Sequence, residues 1–269
     1  MRADKPLVNH ALPASLFIHG DRIVWASASF TGGETRRPAC ALLIGATRAL
    51  TLTVEGEVVQ SCALLVGPNV SRRLVAENAG FYSLTLDPAH PACRYLRAQI
   101  PAGRSFLDVG ARLDATAIAR VQLVLQGEGD CAASRQTSDA LLSHFFPGAL
   151  AAPAIDPRVA LTAAWLREHL PPRANMRQLG QLCQLSAGRL THLFSEELGV
   201  SIRSYLRWVK MCKAVELLGS RRTVTEVAAT IGFADAAHFT RALRSYYSAA
   251  PSFVTNPSLV QVHACDAAP

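Results

Sequence analysis

Two clusters of hydrogen-bond donors in the last third of the chain have the chemistry needed to contact DNA. An arginine can hold guanine through its O6 and N7 atoms, whereas histidine and threonine side chains can donate to bases or phosphates. The clusters lie about fifty residues apart. The six candidate contacts are Arg189, Thr191 and His192 in the first cluster and His238, Arg241 and Arg244 in the second. These residue types predict recognition of a nucleic acid.

A repeated sequence pattern positions the two clusters. Its first copy, LGQLCQLSAGRLTHLF, covers residues 179–194, and its second, VAATIGFADAAHFTRAL, covers residues 227–243. In each copy, apolar residues recur at helical spacing on both sides of a turn, which is the sequence form of a helix-turn-helix. The second helix of each copy is expected to begin near Ser186 and near Asp235. Because a recognition helix enters the major groove with its N-terminal part, these helices would carry both clusters to the bases.

The segment SIRSYLRWVKMCKAVELLG, residues 201–219, separates the copies and predicts one continuous helix. Ser201 is a suitable N-cap, and Gly219 is a suitable C-terminal stop. At 1.5 Å per residue the helix would span roughly 28 Å. It could therefore hold the two recognition helices near the ~34 Å repeat of one DNA turn. Its apolar residues form one stripe, and four basic residues lie on another face: Arg203, Arg207, Lys210 and Lys213.

The order of these elements, closed by Pro251, resembles the DNA-binding domain of the AraC/XylS family of bacterial transcription regulators. Residues 190–218 and 223–254 carry the resemblance. It implies binding to double-stranded DNA, RNA polymerase as a further partner, and activation in preference to repression. It also implies that Arg241 faces the groove, at a position where the family usually has an arginine.

This chain departs from the family at several groove-facing positions. Three of these positions are small residues, Gly188, Ala236 and Ala237, and His192 stands where arginine is common. Alanine can meet a thymine methyl group but forms no side-chain hydrogen bond. The departures predict a reader that relies more on phosphate contacts than on base contacts.

The excess positive charge is concentrated around the repeated pattern. Residues 153–256 contain 13 Lys and Arg against 7 Asp and Glu, a net charge of +6. Residues 1–152 contain 14 against 12, a net charge of +2. A basic module of this kind is the electrostatic footprint of a protein that binds a polyanion.

The first hundred residues predict a β-rich domain. Short apolar or alternating runs, separated by turn-prone residues, favour a sandwich or small barrel. The runs are residues 15–19, 23–27, 40–44, 49–54, 57–66 and 81–86. The family resemblance implies a cupin-like barrel here that senses a small-molecule effector. Candidate lining residues are Trp25, Phe30, Arg72, Arg73 and Tyr82.

We therefore predict two domains and a tail. Residues 1–150 would form the cupin-like, β-rich sensor with flanking helices at 92–100, 112–126 and 134–146. Those helices could pair two subunits as a homodimer or simply pack against the barrel. Residues 151–256 would form the all-α tandem helix-turn-helix domain, and residues 257–269 would be a disordered tail.

The sequence offers little support for catalysis or for a membrane location. His10, His19 and His90 form no HxH ligand pair, and no nucleophile, paired-acid or phosphate-loop motif is present, so we expect no enzymatic activity, metal or cofactor. No apolar run reaches 18 residues, which predicts no membrane span. The seven cysteines are scattered without a CxxC pair, which favours reduced thiols in a cytoplasm.

Two alternatives to a DNA-binding regulator remain open. One is a cupin-type enzyme that has acquired a DNA-binding domain. The other is an anti-regulator whose DNA contacts have weakened and which acts by pairing with another regulator. The small residues Gly188, Ala236 and Ala237 are the best support for the second.

Overall fold

The computed structural model describes residues 13–127 and 129–266. Its strands are β1 (Ala14–Ile18), β2 (Arg22–Ser27), β3 (Phe30–Arg36), β4 (Ala41–Gly45), β5 (Leu50–Val54), β6 (Glu57–Ser61), β7 (Ala63–Val66), β8 (Ser71–Ala76), β9 (Phe81–Leu86), β10 (Phe106–Asp108) and β11 (Val260–Ala264). Its helices are α1 (Pro91–Gln99), α2 (Ala115–Leu125), α3 (Cys131–Phe145), α4 (Pro157–His169), α5 (Met176–Leu182), α6 (Ala187–Leu198), α7 (Ile202–Gly219), α8 (Val224–Thr230), α9 (Ala236–Tyr247) and α10 (Pro251–Val254).

The strands form two sheets, which confirms the predicted β-rich N-terminal half. A seven-stranded sheet has the order β10-β7-β4-β9-β2-β1-β11, and a four-stranded sheet has the order β3-β8-β5-β6. The strands β4, β7 and β9 at the centre of the larger sheet are buried along their whole length, as expected for strands covered on both faces. In β5, by contrast, buried and half-buried residues alternate, as in a strand with one face turned outward.

Two strands of the smaller sheet were absent from the sequence prediction. The strand β3 contains Gly32 and Gly33, which were interpreted as a turn, and β8 begins with the polar residues Ser71, Arg72 and Arg73. The register between β3 and β8 shifts between Thr31 and Glu34, so the glycines form an irregular step within a strand. The predicted run 57–66 is likewise two strands, β6 and β7, which belong to different sheets.

The helices of the N-terminal half cover the outer face of the larger sheet. Their buried residues share a core with that face, and the helices contribute Leu96, Val121, Leu141, Leu142 and Phe145 to it. The helices therefore pack against the sheet, and their pairing with a second subunit stays a prediction. A second core fills the other face of the sheet and continues without a break into the helical half, where Trp25 lies 6.2 Å from Phe253 between ring centroids.

The C-terminal segment differs from the disorder predicted for residues 257–269. Residues 260–264 form β11, which pairs in parallel with β1 from Ala14–Val260 to Ile18–Ala264. Val262 packs so closely on Gly219 of α7 that a Cβ there would lie 2.6 Å from the valine Cβ. The pairing joins residues almost 250 positions apart, and a run as short as VQVHA gives no local sign of its partner. Residues 267–269 lie outside the described part of the chain.

A disulfide between Cys131 and Cys265 fastens this last strand to the start of α3. The prediction that the thiols are reduced is wrong for this pair, because β11 brings Cys265 next to α3 and the Cα atoms lie 5.3 Å apart, within the range for a bridge. The cysteines at positions 40, 62, 93, 183 and 212 are free thiols.

We expect Cys131→Ser to lower the free energy of unfolding by about 2–5 kcal/mol, because the bridge joins positions 134 residues apart and restricts the unfolded chain. Urea unfolding without reductant measures the difference from the wild-type chain. The matched control is Cys62→Ser, at a half-buried free thiol. An equal midpoint for Cys131→Ser and the wild type, or a difference that survives full reduction, would contradict the assignment.

Candidate nucleic-acid interface

The first helix-turn-helix consists of α5 and α6. The helix α6 begins where predicted and is capped by Ser186, whose hydroxyl accepts a hydrogen bond from the backbone N–H of Arg189. The inner side of α6 buries Leu190 and Phe194. The turn needs glycine at position 180, because a Cβ there would lie 2.6 Å from the carbonyl oxygen of Leu185.

The second helix-turn-helix consists of α8 and α9. Thr223 and Glu226 form a reciprocal capping box at the start of α8. The helix α9 begins where predicted. Its N-cap Asp235 accepts a hydrogen bond from the backbone N–H of His238, and this bond lowers the pKa of Asp235. The buried residues of α9 lie on one side, so its other side is open to solvent.

All six predicted DNA contacts are exposed on these two recognition helices. The side chains of Arg189, Arg241 and Arg244 form no hydrogen bond or salt bridge with any residue that the structure describes. Thr191 is partly engaged, because its hydroxyl donates to the carbonyl oxygen of Ala187 at 2.8 Å. His192 Nδ1 lies 3.5 Å from Glu196 Oε2, with both side chains largely exposed. The arrangement leaves the three guanidinium groups available to an external anion.

The linker helix α7 runs from Ile202 to Gly219 and has Ser201 as its N-cap, as predicted. Its 18 residues span roughly 27 Å at 1.5 Å per residue. Its buried residues, which include Tyr205 and Trp208, lie around the whole helix and not along one apolar stripe as predicted. The helix therefore forms a rigid connection between the two helix-turn-helix units.

A basic groove of about 930 Å³ lies along α7 between the two units. Its walls are the segment leading into α5, the N-terminal half of α7, the turn before α9, and one side of α9 as far as Ser245. It contains no Asp or Glu, and its cationic lining residues are Arg173, Arg203, Arg207, Lys210 and Arg241, joined by His238. A concave surface with one sign of charge concentrates its field, here on an anion.

Only two of the four basic residues that were predicted to share one face of α7 are exposed. Lys210 is only 5% exposed, and its ammonium group donates to the carbonyl oxygen of Pro172 at 3.2 Å. Burial lowers the pKa of Lys210. Lys213 pairs with Glu216 at 2.6 Å. Arg203 and Arg207 remain exposed, so α7 offers two arginines rather than four cations to a ligand in the groove.

Comparison with known proteins identifies the helical half. Residues 179–256 match the family described as "Helix-turn-helix domain". The chain is 30% identical over 95 residues to the HTH-type transcriptional activator RhaS of Escherichia coli O139:H28, covering 35% of this chain and 34% of the relative. It is also 30% identical over 102 residues to the arabinose operon regulatory protein of Escherichia coli K12, covering 37% and 35%. Residues 179–256 therefore form an AraC-type helix-turn-helix domain, homologous to those of these two regulators.

The similarity to these curated relatives is confined to the helical half of the chain. The chain spans about a third of the length of these relatives. The fold similarity extends further, because ToxT from Vibrio cholerae O395 superposes with a TM-score of 0.55 over 86% of this chain and 95% of ToxT. The sequence identity in that superposition is 11%, so the likeness concerns the fold alone. It confirms the β-rich half followed by the tandem helix-turn-helix half.

A buried carboxylate joins the two halves of the chain. Asp87, which follows β9, accepts hydrogen bonds from Tyr205 Oη at 3.2 Å and Trp208 Nε1 at 3.1 Å. Arg167 Nη2 of α4 lies 3.0 Å from the same carboxylate. The sequence analysis missed Asp87, since nothing local marks a carboxylate whose three partners lie 80 or more positions later.

The predicted ligand contacts of the sensor fall in different places. Trp25, Phe30 and Arg72 line a small cavity between the two sheets. Tyr82 lies instead in the core under the outer helices, and burial raises the pKa of its hydroxyl. Arg73 is exposed, because neighbouring residues of a strand point to opposite faces. The structure therefore brings together three of the five.

The histidines of the sensor take part in polar networks. His90 Nε2 lies 3.4 Å from Arg22 Nη2 and 3.6 Å from Asp21, and His19 lies 3.3 Å from Ser134. Because the Arg22 guanidinium beside His90 is positively charged, it would repel a metal cation at this histidine. Within residues 13–127 and 129–266, no group of three His, Cys, Asp or Glu side chains could hold a metal ion. His10 lies outside the described residues.

None of the described helices has the length and apolar character needed to cross a membrane.

Proposed function

We propose that the chain is a sequence-specific DNA-binding transcription regulator. The observation that carries the proposal is the pair of recognition helices with free guanidinium groups, together with a basic groove beside α9 whose lining contains no acid. Arg189 and Arg241 would contact base edges or nearby phosphates from the N-terminal parts of α6 and α9. Arg203 and Arg207 would contact phosphates between the two major-groove segments.

Four further side chains on the same two helices are candidate DNA contacts. His238 and Arg244 lie on the exposed side of α9, and Thr191 and His192 lie on that of α6. Thr191 must break its bond to Ala187 to donate to DNA, and neutral His192 is a weaker electrostatic anchor than the arginine common in the family. We expect α9 to contribute more of the affinity than α6.

The N-terminal half would act as a small-molecule sensor. ToxT has been crystallised with an unsaturated fatty acid bound, and its fold matches this chain with a TM-score of 0.54. Because Asp87 contacts α4 and α7 directly, a conformational change that an effector causes in the sensor can reach the helix-turn-helix units. An effector that binds one arrangement of the two halves better than another would shift the population towards it. Activation, contact with RNA polymerase and homodimer formation belong to the same proposal, as does the absence of an enzymatic activity.

A cytoplasmic location follows from a chromosomal target. A reducing cytoplasm would tend to open the bridge between Cys131 and Cys265. Both the oxidised and the reduced chain should therefore be assayed with DNA.

Genome-wide mapping of bound sites, followed by binding assays on the recovered fragments, tests this function. We expect nanomolar to tens-of-nanomolar affinity, as is typical of specific sites, and a steep loss of affinity with salt because phosphates are neutralised. Equal affinity for recovered and scrambled fragments would contradict sequence-specific recognition.

The same assay separates the second candidate function, an anti-regulator that acts by pairing with another regulator. The engagement of Thr191 and His192 within α6, together with Gly188, Ala236 and Ala237, favours it. An anti-regulator would recover no fragments by itself and would enter a complex with a second helix-turn-helix protein.

A further inference from the structure

Two arginines are buried side by side in the cavity between the sheets. Arg37 is 9% exposed and Arg72 is 4% exposed, and both side chains line the cavity. Both terminal nitrogens of Arg72 are buried without a hydrogen-bond partner. No carboxylate forms a salt bridge with either guanidinium in the described part of the chain. The cavity therefore holds two cations and no internal counterion.

Uncompensated charge of this kind is costly in a protein interior. Burial and the neighbouring Arg37 lower the pKa of Arg72 to about 9. Burial also lowers the pKa of Arg37. A buried charge is normally paired with an opposite charge or bound to a ligand. Because residues 13–127 and 129–266 supply no opposite charge to this cavity, a counterion from outside would relieve the cost.

The rest of the cavity is suited to an apolar body. Trp25, Phe30 and Phe81 contribute aromatic surface, with ring centroids 4.9 Å apart for the first two and 5.5 Å apart for the last two. The Thr35 and Ser83 hydroxyls supply the remaining polar groups of the lining. Planar guanidinium groups match a carboxylate, to which they can donate two parallel hydrogen bonds.

We propose that this cavity binds a compact organic carboxylate, held by Arg72 and Arg37 at its charged end and by Trp25, Phe30 and Phe81 along its apolar body. The proposal deepens the sensor part of the proposed function and rests on it. Arg72 was a candidate from the sequence, whereas Arg37 emerges only from the fold.

The position of Arg37 links this cavity to the second recognition helix. Its Nε donates to the carbonyl oxygen of Tyr246, and its guanidinium lies 5.2 Å from the centre of the Tyr247 ring, both at the C-terminal end of α9. Gly33 of β3 donates its backbone N–H to the Ser248 hydroxyl next to them. The cavity has only about 20 Å³ of free space, little more than one water molecule occupies. A carboxylate can therefore enter only if these contacts rearrange, which would move the end of α9.

Calorimetric titration of the full chain with octanoate tests the proposal, with octanol as the uncharged probe of the same length. We expect saturable binding of octanoate at one site and at least tenfold weaker binding of octanol. Arg72→Met should weaken octanoate at least tenfold, because it removes a charged hydrogen-bond donor pair. The matched control is Arg73→Met, on the exposed face of the same strand, and it should leave octanoate affinity within twofold of the wild type.

The thermal midpoint of the ligand-free chain distinguishes a ligand-binding role of Arg72 from a structural one. Removing an unpaired buried charge should leave the thermal midpoint of Arg72→Met unchanged or raised, whereas loss of a structural contact would lower it. The proposal is overturned if octanoate does not bind, if octanol binds as well, or if Arg72→Met binds octanoate like the wild type. All these measurements are made without DNA. A chain that binds octanoate but no promoter fragment would contradict the proposed regulator and leave the carboxylate site intact.

Discussion

Replacing Asp87 with alanine is expected to lower the free energy of unfolding by about 3 kcal/mol and to loosen the helical half from the sensor. Breaking a fully buried ion pair costs about 3–5 kcal/mol because the remaining charge loses its partner. The lower end applies here because the Arg167 side chain is 36% exposed and can turn to water. Tyr205 and Trp208 would lose their acceptor in the interior.

Urea unfolding measures the stability of Asp87→Ala, and limited proteolysis of the segment 146–156 measures the loosening. Asp87→Asn keeps the shape and one acceptor oxygen, so we expect a smaller loss. The matched control is Glu77→Ala, an exposed acid of the same sensor, with a change below about 0.5 kcal/mol. Wild-type stability and protease resistance in Asp87→Ala would show that the carboxylate does not join the two halves.

Replacing Arg241 with alanine is expected to weaken DNA binding by about 1–3 kcal/mol, roughly 5- to 150-fold. Arg241 is exposed on α9, lines the basic groove and forms no internal contact that would otherwise occupy its guanidinium. Electrophoretic mobility shifts at several salt concentrations measure the change. If Arg241 reads a base, specificity relaxes at one position of the site. If it contacts a phosphate, binding weakens uniformly and the salt slope falls by about one.

The control for Arg241→Ala is Arg120→Ala, which removes one exposed positive charge from α2 of the sensor. Because exposed charges more than a Debye length apart are largely screened, we expect little change in DNA affinity. Equal losses for the two variants would mean that overall charge, and not the position of Arg241, controls binding.

The helical half was predictable because its signals are local. The N-caps Ser186, Ser201 and Asp235 each accept a hydrogen bond from an N–H three residues later, so a short window of sequence contains the whole interaction. Apolar residues three and four apart define the buried sides of α6 and α9 in the same way. The six candidate contacts were therefore placed correctly on exposed helix surfaces, while their roles at DNA remain predictions.

The features that the sequence analysis missed depend on partners that are distant in sequence. Asp87, the strand β11 and Cys265 find their partners between about 80 and 250 positions away, so no local pattern marks them. Lys210 looked like a surface cation because helical spacing places it beside Arg207. Only the approach of Pro172 buries it.

The central claim is that two recognition helices meet successive major grooves on one side of the duplex. Hydroxyl-radical footprinting of a bound promoter fragment, combined with guanine methylation interference, tests it most directly. The account predicts two protected segments on the same face, with centres about 10–10.5 base pairs apart, and with the contacts of one segment lost in Arg241→Ala. A single protected segment, or two segments on opposite faces of the duplex, would contradict it.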